Sequence, residues 1–170
     1  NNVRFTEILW AAQRAGLYYT PISSRLTATE VEYIIRDCEA KLIITSNALK
    51  HVVVELTNLI NDIPDRYIID GEIDGWDSFE KSLTSMPSSP INDEIMGQDM
   101  LYSSGTTGKP KGIKLPLKNI PIEQSEDLMQ VVTGLYGTNQ DTVYLSPAPL
   151  YHAAPLRFTM GVNYLGGTNI

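Results

Sequence analysis

Residues 102–112 read YSSGTTGKPKG and concentrate hydroxyls, glycines and lysines in one short stretch. Glycines let the backbone turn tightly and approach a ligand closely, and successive N–H groups in such a turn form a concavity that binds anions. The hydroxyls add hydrogen-bond donors and the lysines add positive charge, so this stretch predicts a phosphate-binding loop. Its candidate ligands are Ser103, Ser104, Gly105, Thr106, Thr107, Gly108 and Lys109, with Lys111 adding a further positive charge.

The spacing within the loop excludes two common phosphate motifs. A Walker A loop needs four residues between its glycines and a Ser or Thr after its lysine. Here only two residues lie between Gly105 and Gly108, and Lys109 is followed by Pro110. The dinucleotide pattern G-x-G-x-x-G is not matched either. A solvated Ser/Gly linker is the remaining alternative, and the PKG sequence is not typical of linkers.

A strand is predicted on each side of the loop. DMLYSS (99–104) leads into it, and KGIKL (111–115) follows it. Apolar spacing and capping residues predict helices over 5–15, from Thr27, from Ser46 to Ile60, over 75–83, from Asn119 or Pro121 to Tyr136, and over 151–167. Short apolar runs predict further strands at 17–23, 41–45, 66–70 and 142–149, with another beginning at 168–170.

This alternation of helices and short apolar strands predicts an α/β fold, with a mostly parallel sheet flanked by helices. The Ser/Pro-rich connection over about 85–98 is the best internal boundary. A sheet protein that stops where a strand begins is expected to be a fragment of a longer chain, which leaves a sheet edge and apolar faces uncovered. We therefore expect a homo-oligomer or a segment-swapped dimer of the fragment.

Composition narrows the function classes. The formal net charge of −7 argues against a nucleic-acid partner, and no apolar run is long enough to predict a transmembrane segment. Cys38 is the only cysteine, and His51 and His152 are far apart without a ligand pattern, so no metal site is predicted. The composition fits a cytoplasmic protein.

At this point three segments carry a specific resemblance. YSSGTTGKPKG resembles the signature loop of the adenylate-forming (AMP-binding) superfamily, which includes acyl- and aryl-CoA synthetases, luciferases and the adenylation domains of peptide synthetases. AAQRAGLYYTPIS (11–23) and SPAPLYHAAPLRFTMGVNYLGGT (146–168) resemble two further family segments, in the family's order. The resemblance covers the whole chain, which is then a fragment of the large N-terminal domain, without the C-terminal domain.

The resemblance implies an ATP-dependent acid–CoA ligase. A carboxylic acid substrate would be activated as an acyl-adenylate and passed to coenzyme A as co-substrate, with Mg²⁺ as cofactor, in a setting such as fatty acid metabolism. The residues from Ser103 to Gly108 would hold the β- and γ-phosphates. Lys111 and His152 would be catalytic, with Lys111 acting at the loop or its phosphates and His152 near the acyl pocket and the α-phosphate. Lys109 stands at the family's variable position, and Tyr151 and Phe158 are either pocket or core residues.

Other functions stay open on the sequence. The chain resembles adenylation domains that load a carrier protein, and it could also be a non-catalytic subdomain. A P-loop kinase or ATPase would cleave the γ-phosphate, whereas adenylation releases pyrophosphate. The residues that bind adenine, ribose and the metal are expected outside this chain, so the fragment is expected to be inactive alone. The sequence does not identify the acid.

Overall fold

The computed structural model describes residues 2–103, 108–124 and 133–170. The chain divides into two compact units, which we describe separately. The first unit consists of Asn1–Pro21, Pro90–Ser103 and Ile113–Ile170, and the second consists of Ile22–Ser89 and Ser104–Gly112. The chain therefore crosses between units after Pro21, after Ser89, and at both ends of the predicted phosphate loop.

Helices and strands alternate along the described residues. The helices are α1 Val3–Arg14, α2 Ala28–Asp37, α3 Lys50–Leu59, α4 Phe79–Leu83 and α5 Ala153–Tyr164. The strands are β1 Tyr18–Tyr19, β2 Leu42–Ser46, β3 Asp65–Ile69, β4 Asp77–Ser78, β5 Gln98–Tyr102, β6 Gly112–Lys114, β7 Val143–Tyr144 and β8 Thr168–Asn169. Short 3₁₀ turns occupy Asn47–Leu49 and Ile122–Gln124.

The strands form small sheets in the orders β1-β5-β6, β2-β3-β4 and β7-β8. The pairs β1/β5, β2/β3, β3/β4 and β7/β8 are all parallel. The longest ladder runs from Leu42 opposite Asp65 to Ser46 opposite Ile69. Parallel pairing with helices between the strands confirms the predicted α/β class.

The core of the second unit packs α2 and α3 against β3. Its most buried side chains are Ile35, Val53, Ile60 and Ile68. Trp76 closes this core and donates its indole N–H to Thr57 Oγ1 at 2.8 Å, which satisfies the polar group of a largely buried ring. The apolar faces of α2 and α3 are thus buried in this core.

Helix α2 begins where the sequence predicts. The backbone N–H and the hydroxyl of Thr27 both donate to Glu30 Oε2 at 2.8 Å. These hydrogen bonds, first that of the backbone and then that of the side chain, lower the pKa of Glu30. The hydrogen bond from the Thr27 backbone belongs to the capping box expected from the Thr27–Glu30 spacing.

The core of the first unit joins α1, β5 and α5. Leu9, Leu101, Leu156 and Met160 are buried together, with Phe5, Trp10 and Tyr19 packed against them. The three central residues of β5, Asp99 to Leu101, are all buried. Strand β5 therefore lies inside the first unit, and the predicted phosphate loop follows directly from it.

Several helices and strands begin or end at other residues than the sequence predicts. The helix predicted over 75–83 begins only at Phe79, because Trp76 turns into the core and Asp77–Ser78 pairs with β3. Ser46 stays in β2, and α3 starts at Lys50 after a 3₁₀ turn. Of the strand predicted over 142–149, only Val143–Tyr144 forms, since Pro147 and Pro149 cannot donate to a ladder. Residues 133–136 are helical as predicted, and 125–132 lie outside the described residues.

Gly97 immediately precedes β5 and has no room for a side chain. A Cβ there would lie 2.5 Å from the carbonyl oxygen of Leu17 and 2.7 Å from that of Ala12. Because both neighbours are backbone atoms, Gly97→Ala is expected to lower the free energy of unfolding by about 1–3 kcal/mol, as overpacking does. Urea titration measures this. Gly134→Ala, where nothing lies within 4 Å of the added carbon, is the control, and an equal effect of both variants would contradict the steric explanation.

Candidate phosphate-binding site

The entry arm of the loop is the end of β5. Gln98 and Asp99 pair with β1 in parallel register, and Met100 and Leu101 are buried in the first unit. This fixes the strand up to Tyr102, after which Ser103 is exposed. The predicted ligands Ser104, Gly105, Thr106 and Thr107 lie outside the described residues.

The exit arm of the loop begins at Gly108. Gly108, Lys109 and Lys111 are exposed, and Pro110 is half-buried. No atom lies within 4 Å of the Cβ that a larger residue would have at Gly108, so packing against the described residues does not require a glycine there.

Tyr33 of α2 holds the exit arm, although no local pattern in the sequence singles it out. Its hydroxyl donates to the Pro110 carbonyl oxygen at 3.1 Å. The ammonium of Lys109 lies over the same ring, 4.7 Å from its centroid, within the range of a cation–π interaction. All of these groups belong to the second unit. The contact is hidden from sequence reasoning because 77 residues separate the hydrogen-bonding partners.

The same pair of contacts recurs further along the exit arm, within the first unit. The Tyr18 hydroxyl donates to the Leu115 carbonyl oxygen at 2.7 Å. The Lys114 ammonium lies 4.9 Å from the centroid of the Tyr18 ring. In both cases a lysine covers a tyrosine ring while the next residue's carbonyl accepts from the hydroxyl, so the exit arm is held before and after Lys111.

An ion pair fixes β5 to α5. Arg157 donates from Nη2 and Nε to Asp99 Oδ2, at 2.9 and 3.2 Å. The Asp99 side chain is only 7% exposed, whereas that of Arg157 is 44% exposed. A buried carboxylate needs such a partner, because an unpaired charge is costly to remove from water.

Tyr19 borders this pair, and its hydroxyl lies 3.5 Å from Met160 Sδ. Burial, and then the negative charge of Asp99, raise the pKa of Tyr19 well above the ordinary tyrosine value, while Arg157 acts in the opposite direction. The folded protein therefore holds this proton more tightly than the unfolded chain. It follows that the contribution of Tyr19 to stability is complete below pH ~10 and declines above it.

His152 lies in the first unit, at the N-cap of α5. Its backbone N–H donates to the Pro149 carbonyl oxygen at 3.2 Å, and its own carbonyl accepts from the Leu156 N–H at 3.1 Å. Its exposed side chain stands beside Tyr151, with ring centroids 4.4 Å apart. Ser103 belongs to the same unit, while Gly108 to Lys111 belong to the second.

A metal centre built from protein side chains needs several ligand residues close together. In residues 2–103, 108–124 and 133–170, no group of three or more His, Cys, Asp or Glu side chains could hold an ion. Over the same residues, no helix has both the length and the apolar character needed to cross a membrane.

Removing Arg157 tests the pairing of Asp99. Arg157→Met leaves the buried carboxylate without its cation, and we expect a loss of about 2 kcal/mol of unfolding free energy. Breaking a fully buried pair lowers the free energy of unfolding by about 3–5 kcal/mol. The loss is smaller here because Arg157 is partly exposed. Chemical denaturation measures the change. Arg4→Met, which breaks the solvent-exposed Arg4–Glu7 pair, should have little effect, and similar losses in both variants would contradict a special role for the Asp99 pair.

The sequence of this chain is similar to those of known proteins. The sequence matches the family of AMP-binding enzymes over residues 1–170. The long-chain-fatty-acid–CoA ligase FadD13 of Mycobacterium tuberculosis is 28% identical over 166 residues, which cover 92% of this chain and 30% of that protein. Part of the plipastatin synthase of Bacillus subtilis is 33% identical over 109 residues, which cover 64% of this chain and 4% of that protein.

The fold is similar to that of ATP-bound MatB from Rhodopseudomonas palustris, with a TM-score of 0.74 and 22% identity over 100% of this chain and 33% of that one. The chain thus spans about a third of that structure, and 30% of FadD13. Because the family match runs from the first residue to the last, the chain belongs to the AMP-binding enzyme family.

Proposed function

We propose that this chain is part of an ATP-dependent acid–CoA ligase, which activates a carboxylic acid as an acyl-adenylate and transfers the acyl group to coenzyme A. The observation that carries the proposal is the family match along the whole chain, which includes the loop YSSGTTGKPKG. FadD13, which is named as a fatty-acid–CoA ligase, aligns over most of the chain and supports this choice.

The proposed reaction has two steps. In the first, a carboxylate oxygen of the acid attacks the α-phosphorus of ATP, and the bond from this phosphorus to the bridging oxygen of pyrophosphate breaks. In the second, the thiol of coenzyme A attacks the acyl carbonyl carbon, loses its proton, and releases AMP. Both steps depend on positioning and on neutralising phosphate charge rather than on a covalent enzyme intermediate.

The loop supplies the positioning in this proposal. The residues from Ser103 to Gly108 hold the β- and γ-phosphates through N–H and hydroxyl donors, and Lys109 and Lys111 contribute positive charge. The buried strand β5 fixes the entry arm, and the tyrosine contacts hold the exit arm. In this proposal, the two held arms help to orient the polyphosphate for the reaction.

His152 is proposed to act near the acyl group and the α-phosphate. Its exposed position at the N-cap of α5 is compatible with contact to a ligand from solvent. Phe158, one turn and a half further along α5, contacts Tyr136 and Tyr144 with ring centroids 5.2 and 6.3 Å apart. This aromatic cluster supports a packing role for Phe158, and we assign it no contact with the acid.

Two functions from the same reaction class compete for the second step. Adenylation followed by loading of a carrier protein is favoured by the match to plipastatin synthase, at 33% identity. The PLYHAAP segment (149–155) and the longer alignment with FadD13 favour coenzyme A. The proposal covers any class of carboxylic acid. It places the Mg²⁺ ligands in other parts of a longer protein, and it places that protein in the cytoplasm.

Exchange of pyrophosphate into ATP tests the proposal in the full-length protein. With the correct acid present, exchange is expected, and Lys111→Ala should reduce it by about tenfold or more, since a hydrogen bond from a charged group contributes about 1.5–3 kcal/mol. Lys50→Ala, which removes the same charge from an exposed position on α3, is the control. The isolated 170-residue chain is expected to show no exchange.

The products distinguish the alternatives. Exchange with one class among short, long and aromatic acids would identify the substrate. Release of orthophosphate without acid-dependent exchange would instead show γ-phosphate cleavage and contradict adenylation. Exchange by the 170-residue chain itself would contradict its proposed inactivity.

The 170-residue chain is also proposed to self-associate. Val143, Leu145 and Ile170, on and next to the β7-β8 sheet, are 64%, 65% and 71% exposed. Exposed apolar residues beside a short sheet favour association, so we expect a dimer by sedimentation velocity. Val143→Lys and Leu145→Lys should shift the isolated chain toward monomer. A sedimentation coefficient that is independent of concentration and typical of a monomer would contradict this.

A further inference from the structure

We propose that Tyr33 is a positioning residue for the phosphate loop, acting through the backbone of Pro110 and the side chain of Lys109. The proposal rests on the proposed function, in which the loop binds the phosphates of ATP. Two contacts carry it, the hydrogen bond from the Tyr33 hydroxyl to the Pro110 carbonyl and the position of the Lys109 ammonium over the ring.

Helix α2 provides a rigid base for these contacts. Tyr33 stands directly before Ile34 and Ile35, which are buried, and the capping box fixes the start of the helix. Tyr33 is half-buried, and the helix that carries it packs into the core of the second unit. Its hydroxyl reaches the loop. A loop held by such a helix loses less conformational entropy when it binds a ligand, which increases affinity.

The position of Pro110 makes the contact effective. The proline ring already restricts one backbone dihedral, and the hydrogen bond to its carbonyl restricts the peptide that leads to Lys111. The repeated arrangement of Tyr18 with Lys114 and Leu115 holds the backbone on the far side of Lys111. Lys111 therefore directly follows a peptide that Tyr33 restrains within the second unit.

Limited proteolysis tests the tether without relying on activity. Trypsin does not cleave the bond between Lys109 and Pro110, so cleavage after Lys111 reports on opening of the exit arm. In nucleotide-free full-length protein, Tyr33→Phe is expected to accelerate this cleavage about fivefold, the equivalent of one net hydrogen bond. Cleavage after Arg25, in an exposed turn of the same unit, provides the internal reference.

Kinetics then test the link to ATP. Tyr33→Phe should raise KM for ATP about fivefold, while KM for the acid and the melting temperature stay unchanged. Lys109→Met should raise KM for ATP about threefold or more, because it removes both the cation–π contact and a positive charge near the phosphates. In a Tyr33→Leu background, which lacks the ring, Lys109→Met should cost less affinity than in the wild-type background, because only its attraction for the phosphates is then lost.

Tyr67→Phe, the same substitution on β3 of the second unit, is the matched control. Equal cleavage rates in Tyr33→Phe and Tyr67→Phe would overturn the tether. Faster cleavage with an unchanged KM for ATP, or a rise in KM for both ATP and the acid with a lower melting temperature, would overturn the positioning role. If the wild-type protein shows no acid-dependent exchange, the proposed function fails, while the cleavage rates still decide whether Tyr33 holds the loop.

Discussion

The buried carboxylate of Asp99 is the constraint on which the first unit depends. It lies in the middle strand of the β1-β5-β6 sheet and is paired by Arg157 of α5. Since a buried carboxylate is tolerated only when it is paired, α5 must lie where its guanidinium reaches β5. The same strand ends at Tyr102, directly before Ser103, and the same helix begins after His152, so this pair fixes the two places in the first unit where chemistry is proposed.

The two arms of the loop end in neighbouring strands of one sheet, and further contacts hold each arm. The entry arm is a buried strand, held by backbone pairing with β1 and by the burial of Met100 and Leu101. The exit arm is largely exposed and pairs with β5 through β6, and Tyr33 and Tyr18 add hydrogen bonds at Pro110 and Leu115. Each such contact is weak by itself, and a loop held in this way can be fixed at its ends without losing access to a ligand.

The sequence predicted those parts of the fold that local interactions decide. The start of α2 followed from the capping box of Thr27, and β2 and β3 followed from apolar runs that are easily recognised. The helix expected from Gly75 was shortened because Trp76 contributes more by entering the core than by continuing a helix. The loop was recognised from its residue types, while the contact of Tyr33 joins residues far apart in sequence and appears only once the chain is folded.

Charge explains why tyrosines, rather than carboxylates, hold the lysines of the exit arm. The chain has a net charge of −7, yet residues 109–118 contain four lysines and no acidic residue. Because screening limits interactions between exposed charges to about 8 Å in physiological salt, a polyphosphate at the loop would interact mainly with these lysines rather than with the overall charge. An aspartate or glutamate partner would neutralise a lysine, whereas an aromatic ring attracts the ammonium and leaves its charge intact. Lys109 and Lys114 are thus oriented by Tyr33 and Tyr18 while remaining able to attract an anion.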